Sequence, residues 1–415
     1  MVSGVGSVIR VPADYSTIQD AINAALPGST IIVSPGVYHE NLTIDKTLNL
    51  TGEDKMTTII DGGGNGTVVE IRANRVDFQS FTVQNSALSF GDGGVLLYNS
   101  SRCRISGNII VHNSPAGVVL WSSHDNIIEG NIIAFSGIIL PGWIWGWSIG
   151  LAESNNNTIV GNILSNSVIC GIDLEKSNAT IIQFNVIQNS DVGISLWHSN
   201  DSIIDHNAFL NIRNFQIIME AYNTTWSSRQ EGNYWDDYVG LDDGSNSRIV
   251  GDSIGDTGLP HLGVDNYPLV RPPFPIPIAF EEAFYPVAVE GNSTVSTFRF
   301  VQAEKKITFN VSGPTATTGY CNITIPKSLL RDSPWRIVLN GTDITAESFI
   351  AENETHSSIY FTYNHSISNV QIMGTWVVAE FFPQAMLTTM LIFATSMILL
   401  KARKREENNL SSSVQ

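Results

Sequence analysis

Gly171-Ile172-Asp173-Leu174-Glu175-Lys176-Ser177-Asn178-Ala179-Thr180-Ile181-Ile182-Gln183-Phe184-Asn185-Val186-Ile187 holds the body of one repeat, and Gly193-Ile194-Ser195-Leu196 opens the next. Its landmarks recur along the chain. Leu97, Leu120, Leu151, Leu174 and Leu196 keep one beat, and Asn108, Asn131, Asn162, Asn185 and Asn207 keep another, with asparagine spacings of 23, 31, 23 and 22 residues. A fixed period in this range marks a solenoid whose units are stable only when stacked. Each period holds apolar runs too short for a helix, rich in Ile and Val and punctuated by Gly, Asn and Ser. A leucine-rich repeat would need several framework leucines and a helix-length stretch. Three short strands per coil of a parallel β-helix fit instead. The asparagines are then expected to stack as an in-register hydrogen-bonded ladder, a structural role.

Working outward, residues 15–26 form the one clear soluble helix. Ser16 is the expected N-cap, Gln19 completes a capping box, and Ile18, Ala21, Ile22 and Ala25 share a face. A short amphipathic helix here suits a plug over the open end of the bore. Thr30-Ile31-Ile32-Val33, Leu42-Thr43-Ile44, Leu48-Asn49-Leu50 and Val68-Val69-Glu70-Ile71 read as the first coils. The 31-residue period contains an insertion of about eight residues around Pro141-Gly142-Trp143-Ile144-Trp145-Gly146-Trp147. If extended, it aligns Trp143, Trp145 and Trp147 on one face as a flat strip about 14 Å long, a platform for two or three sugar rings. The alternative is a lid folded onto the coil.

The repeats fade after Asn211. An acidic, Gly-rich segment follows, from Asn233-Tyr234-Trp235-Asp236-Asp237-Tyr238 to Asp265-Asn266-Tyr267. Arg271-Pro272-Pro273-Phe274-Pro275-Ile276-Pro277 reads as a stiff linker. Alternating runs separated by turns such as Asn340-Gly341 then predict a β-sandwich. Residues 381–400 carry no charge and are long enough to cross a bilayer, and Lys401-Ala402-Arg403-Lys404-Arg405 follows at once. The positive-inside rule puts that tail in the cytoplasm and the bulk of the chain outside.

The chain has 415 residues and a net charge of −17, which argues against a nucleic-acid partner. Its three cysteines, Cys103, Cys170 and Cys321, are far apart; Cys103 and Cys170 read as buried coil residues. Fourteen N-x-S/T sequons precede residue 370, favouring an exported, glycosylated chain. Residues 1–10 have neither a basic start nor an apolar stretch, so the expected true start lies upstream.

Tyr15-Ser-Thr-Ile-Gln-Asp-Ala-Ile-Asn and Ile31-Ile-Val-Ser-Pro-Gly-Val-Tyr-His-Glu-Asn resemble the opening of pectin-lyase-like right-handed β-helices. The Gly-Ile-x-Leu repeats, Asn233-Tyr-Trp-Asp-Asp-Tyr, Gly251-Asp-Ser-Ile-Gly-Asp-Thr and Asp265-Asn-Tyr-Pro-Leu resemble the NosD group of the carbohydrate-binding and sugar-hydrolase (CASH) β-helix class. The match covers roughly residues 8 to 270. The sandwich, anchor and basic tail are similar to archaeal membrane-anchored surface proteins. The resemblance implies the fold, and for NosD proteins a link to copper delivery. Copper needs converging His, Met or Cys. His112, His124, His198 and His206 occupy different positions in their repeats, so no copper site is expected.

An enzyme would need a carboxylate pair on one exposed face. Asp173 and Glu175 flank inward Leu174 and are expected to point outward about 7 Å apart, a separation compatible with an inverting glycosidase. Trp121 and Trp197 share the column of Glu175, with Glu153 and His198 one position further on. Residues 94–211 hold three Lys/Arg against eight acids, which would repel a polyuronate, and the Asn-Thr-Asp and Gly-His-Gly motifs of polygalacturonases are absent. Asp242, Asp252 and Asp256, with Asp265 beyond, supply hard oxygen ligands in Gly-rich turns; this suits calcium, although the spacing is not that of an EF-hand, and the alternative is plain solvated turns.

The sequence therefore predicts an all-β chain. A right-handed parallel β-helix with an N-terminal capping helix spans 1–270, a Pro-rich linker 271–279, a β-sandwich 280–375, one transmembrane helix 377–400 and a cytoplasmic tail 401–415. The expected function is a single-pass cell-membrane protein, extracellular in bulk, that binds a glycan or surface polymer through Trp121, Trp143, Trp145, Trp147 and Trp197 without catalysis. Glycoside hydrolysis by Asp173 and Glu175, or a purely structural surface-layer role, are the alternatives. No cofactor is expected, with calcium at the acidic turns as the alternative.

Overall fold

The computed structural model describes residues 6–89, 91–140, 143–280, 283–331 and 334–377. Among these, each coil of the first two-thirds contributes strands to three parallel sheets of nine, eight and nine strands. The second sheet includes the Gly-apolar-x-Leu runs of Gly93–Tyr98, Ala116–Trp121, Cys170–Glu175 and Val192–Trp197, together with Trp147–Ala152, where Ser148 takes the glycine position, and Phe215–Glu220, where Gln216 and Met219 replace the Gly and Leu. Leu97, Leu120, Leu151, Leu174 and Leu196 are direct register partners in it, and each is at most 2% exposed. They form the predicted column. The initial glycine has a steric cause. A Cβ on Gly117 would fall 2.2 Å from Ile133 Cγ2, and one on Gly171 would fall 2.4 Å from Ile187 Cγ2. The chain entering this sheet passes too close to an isoleucine of the third sheet for any side chain.

The asparagine ladder is complete and longer than the repeats suggest. Each Oδ1 accepts both the backbone N–H and the Nδ2 of the asparagine one coil earlier, from Asn108 to Asn131 through Asn162, Asn185 and Asn207 to Asn233. All six side chains are buried, so each amide replaces a hydrogen bond that water would otherwise supply. A serine ladder with the same spacing, Ser100, Ser123, Ser154, Ser177 and Ser199, runs along another corner, each Oγ accepting from the backbone N–H one coil earlier.

Both ends of the bore are closed. The helix is Ile18–Ala24, shorter than the sequence suggests, and buries Ile18, Ala21 and Ile22. Its N-cap is Thr17 rather than Ser16, because Thr17 Oγ1 reaches the Asp20 N–H at 3.1 Å. Gln19 does not close a capping box: its Oε1 accepts from Thr43 N at 2.8 Å, and Glu40 instead accepts from the Ile18 and Gln19 N–H groups of the first turn at 2.9 Å each. At the other end Trp235 stacks on Phe209, ring centroids 4.2 Å apart, with Trp226 and His261 beside it. Asp265 finishes the ladder by accepting from Asn233 N at 2.8 Å and Trp235 Nε1 at 2.9 Å.

Two five-stranded antiparallel sheets follow and share one core, in which Ile323 and Phe361 of one sheet join Phe309 and Ile372 of the other. Ile276–Phe280, which overlaps the stretch read as linker, is the first strand of this domain. The domain is fused to the last coils. Tyr234, Leu210 and Leu269 belong to its core cluster, Tyr234 Oη donates to Val295 O at 3.0 Å, and Arg299 pairs with Asp236 at 2.6 Å.

No helix among the described residues is long and apolar enough to cross a membrane. The span read at 377–400 and the tail 401–415 lie outside the described residues except at Val377. That residue is in a strand, Trp376–Val377, paired with Leu330–Arg331. The first position assigned to the span therefore belongs to the sheet domain.

Candidate ligand-binding groove

The insertion in the 31-residue period folds as an antiparallel hairpin, Ile138–Leu140 against Trp143–Trp145, before the chain rejoins the second sheet at Trp147. Its neck is closed by glycines: a Cβ on Gly146 would fall 2.8 Å from Gly137 Cα. The three tryptophans do not lie on one continuous strand, as a flat strip would require, because Gly146 turns the chain between hairpin and sheet. Trp145 and Trp147 instead meet edge to face, ring centroids 5.5 Å apart and planes at 76°. The backbone of Trp143 is at the start of the second hairpin strand.

The hairpin stands beside the outward face of the second sheet. One outward column runs Tyr98, Trp121, Ala152, Glu175, Trp197, Glu220, and the next runs Leu96, Val119, Gly150, Asp173, Ser195, Ile218. Trp121 and Trp197 are 40% and 42% exposed. They are three coil rises apart, about 14 Å at ~4.8 Å per rise. Between them Gly150 and Ala152 leave a trough, and a Cβ at Gly150 would meet nothing within 4 Å.

Two cavities share the wall made by Trp145 and Trp147 and the acids Asp173 and Glu175. One, of about 330 Å³, reaches Trp121, Val119 and Asp92; the other, of about 550 Å³, reaches Trp197, Ser195 and Ile218. The structure thus brings four of the five tryptophans named from the sequence, and both carboxylates, to one groove. Gly150, Ala152 and Asp92 carry no repeat signal that would have nominated them.

The two carboxylates differ. Burial holds the Asp173 carboxyl above its ordinary pKa, the Ser195 hydroxyl pulls it back, and the charge of Glu175 pushes it further up. Glu175 is exposed, with Lys176 Nζ 3.7 Å from its Oε1. One group favours holding a proton and its neighbour is open to water.

The acidic turns are elsewhere, at the solenoid's closing end. Asp242 accepts from Gly251 N and Ser253 N, Asp252 from Ile254 N, and Asp256 Oδ2 from Asp243 N and Gly244 N at 2.9 and 2.6 Å. Burial, with the charges of Asp252 and Asp256, raises the Asp242 pKa against those backbone bonds. Asp256 is fully buried, and its Oδ1 has no hydrogen-bond partner among the described residues. No group of three or more His, Cys, Asp or Glu among the described residues is placed to hold a metal ion.

Residues 22–240 match the family model described as periplasmic copper-binding protein (NosD). A cell surface glycoprotein of Methanothermus fervidus is 26% identical over 311 residues, covering 53% of this chain and 51% of that one. The chain spans about half the length of that curated relative. Among solved structures, an alginate lyase from Paenibacillus sp. is similar with a TM-score of 0.46 and 17% identity, covering 56% of this chain and 88% of that one. A pectate lyase is similar with a TM-score of 0.43 and 12% identity, covering 56% and 74%.

The described residues do not fit copper. His112 stacks on Phe135 with centroids 5.1 Å apart, and His124 Nδ1 accepts from Asn155 N at 3.0 Å. His198 faces Glu220 at 3.6 Å, and His206 is held between Asp205 and Glu231. These are separate corners of the solenoid, and Cys103 and Cys170 are buried singly within it.

Proposed function

The chain belongs to the NosD family, and on that premise we propose that it is a cell-surface β-helix protein that binds a glycan or surface polymer in the tryptophan groove without cleaving it. The carrying observation is the groove itself: a hairpin inserted into an otherwise regular solenoid sets Trp145 over a trough floored by Gly150 and Ala152 and bounded by Trp121 and Trp197. Stacking rings with a few polar groups are what sugar faces and hydroxyls require. The similarity to a cell surface glycoprotein supports the location.

Binding is tested by tryptophan fluorescence against a panel of oligosaccharides. A titratable change in emission, weakened at least tenfold by Trp145→Ala at unchanged Tm, supports the reading. If no glycan alters the emission and Trp145→Ala lowers Tm, the hairpin is a packing element.

A membrane anchor at residues 377–400 is part of the proposal. It rests on the uncharged stretch 381–400 and the four basic residues that follow. The full chain then resists carbonate extraction. Truncation after Val377, which preserves the strand paired with Leu330–Arg331, releases it. A second reading, glycoside hydrolysis, is favoured by one observation, the contrast between Asp173 with its raised pKa and exposed Glu175. Calcium at Asp242, Asp252 and Asp256 is also proposed, supported by the buried Asp256 Oδ1, which has no hydrogen-bond partner among the described residues.

A further inference from the structure

The charge of the groove narrows the ligand. Asp92, Glu153, Asp173 and Glu175 line the cavity below Trp145, while among the described residues neither cavity has a lysine or arginine in its lining. Lys176 lies alongside, 3.7 Å from Glu175, and His198 borders the second cavity opposite Glu220. Carboxylates around exposed indole faces give a cation two attractions at once, one from the charge and one from the ring quadrupole.

The same sheet already holds a cation in this way. Arg72 sits over the Tyr98 ring at 5.9 Å while Glu70 pairs with it at 2.8 Å. Tyr98 is the register partner of Trp121, and the two rings meet at 6.5 Å. One coil further on the aromatic persists as Trp121, and the carboxylates follow, Glu153 two coils and Asp173 and Glu175 three coils beyond Tyr98. The outward register partners that follow Trp121 are Ala152, which has no head group, and Glu175, which is anionic.

We infer that the groove recognises a sugar chain bearing protonated amines, an amino-glycan with free amino groups, rather than a neutral or uronic one. The inference rests on the glycan-binding reading above. Ring faces of the sugar stack on Trp121, Trp145 and Trp197, and ammonium groups lie over the trough at Gly150, where the acids converge. The absence of a side chain at Gly150 is what makes room for the approach.

The test is a fluorescence titration of the full chain at pH 6 with four probes: a glucosamine hexamer, the same hexamer N-acetylated, an oligogalacturonate of equal length, and spermidine. The expected result is binding of the glucosamine hexamer at least tenfold tighter than its acetylated form, with no binding of the uronate. That advantage shrinks to under threefold at about 0.5 M salt, where charges are screened within a few ångström, and in Glu175→Gln. Gly150→Leu fills a space open to a side chain, so it abolishes binding at unchanged Tm. Equal or tighter binding of the acetylated hexamer overturns the amine inference and leaves the glycan reading standing. Spermidine binding as tightly as the amino-hexamer overturns it in favour of a bare polyamine. Failure of every sugar to bind removes both.

Discussion

Asn185 Oδ1 accepts two hydrogen bonds from Asn162, one from its backbone N–H at 2.9 Å and one from its side-chain Nδ2 at 3.0 Å. Its own Nδ2 donates to Ile159 O and Gln183 O, both at 2.9 Å. Asn185→Ala strands several of these partners in a buried corner. At ~1–3 kcal/mol for each unsatisfied group, with partial relaxation, the substitution is expected to cost roughly 3 kcal/mol or more. Denaturant unfolding measures it; a loss below about 1 kcal/mol would mean water enters the ladder and replaces the amide.

His206 gives the solenoid a pH dependence. Burial alone would lower its pKa, but hydrogen bonds and charge from Asp205 and Glu231, at 2.9 and 2.7 Å, outweigh it and raise the pKa above 6.5. A raised folded-state pKa contributes stability that is complete below the unfolded value and lost as pH rises through the folded one. Tm is therefore expected to fall as pH is raised from about 6.5 through the folded value. His206→Gln should flatten that part of the profile. An unchanged slope in the variant would assign the pH dependence to other groups.

The repeat was legible because an in-register stack demands the same residue at the same corner in every coil, so Leu174 and Asn185 announce themselves by spacing alone. The ladder's last member was not, because Asn233 is followed by Tyr234 and Trp235 in place of the usual small aliphatics; Trp235 has to close the bore. Gly150 was invisible for a different reason. Its importance depends on Val119 and Asp173 being its lateral neighbours, a relation set by register across an insertion, and on a hairpin whose approach is fixed by Gly137 and Gly146. The edge-to-face meeting of Trp145 and Trp147 likewise depends on where one strand stops and the next begins.

The acidic turns predict a response to calcium. Asp256 Oδ1 is buried without a hydrogen-bond partner among the described residues, and burial, with a smaller push from the charges of Asp252 and Asp256, raises the pKa of Asp242. A cation held there stabilises the fold by mass action, about 2.7 kcal/mol at a hundredfold excess over Kd. Millimolar calcium is expected to raise Tm by several degrees. Asp256→Asn keeps an oxygen for the Asp243 and Gly244 N–H groups but removes the charge, and should abolish the rise. A melting curve indifferent to calcium and to chelator would return these residues to turn-making alone.

Binding without turnover is the last expectation, and Asp173 decides it. Hydrolysis would need Asp173 to hold a proton for the leaving oxygen and Glu175 to activate water, the two lying about 7 Å apart at alternate positions of one strand. Burial supplies the first condition and exposure the second. Yet the Ser195 hydroxyl bonds to Asp173 and pulls its pKa back down, and Lys176 competes for Glu175. Oligosaccharides that perturb the tryptophan emission are therefore expected to keep their reducing-end count over prolonged incubation. Release of new reducing ends would overturn this, provided Asp173→Asn and Glu175→Gln each abolish it. The rate should then fall as pH rises through the elevated Asp173 value, because the proton donor is lost there. Release that survives both substitutions would point to a contaminating hydrolase and leave the groove a binding site.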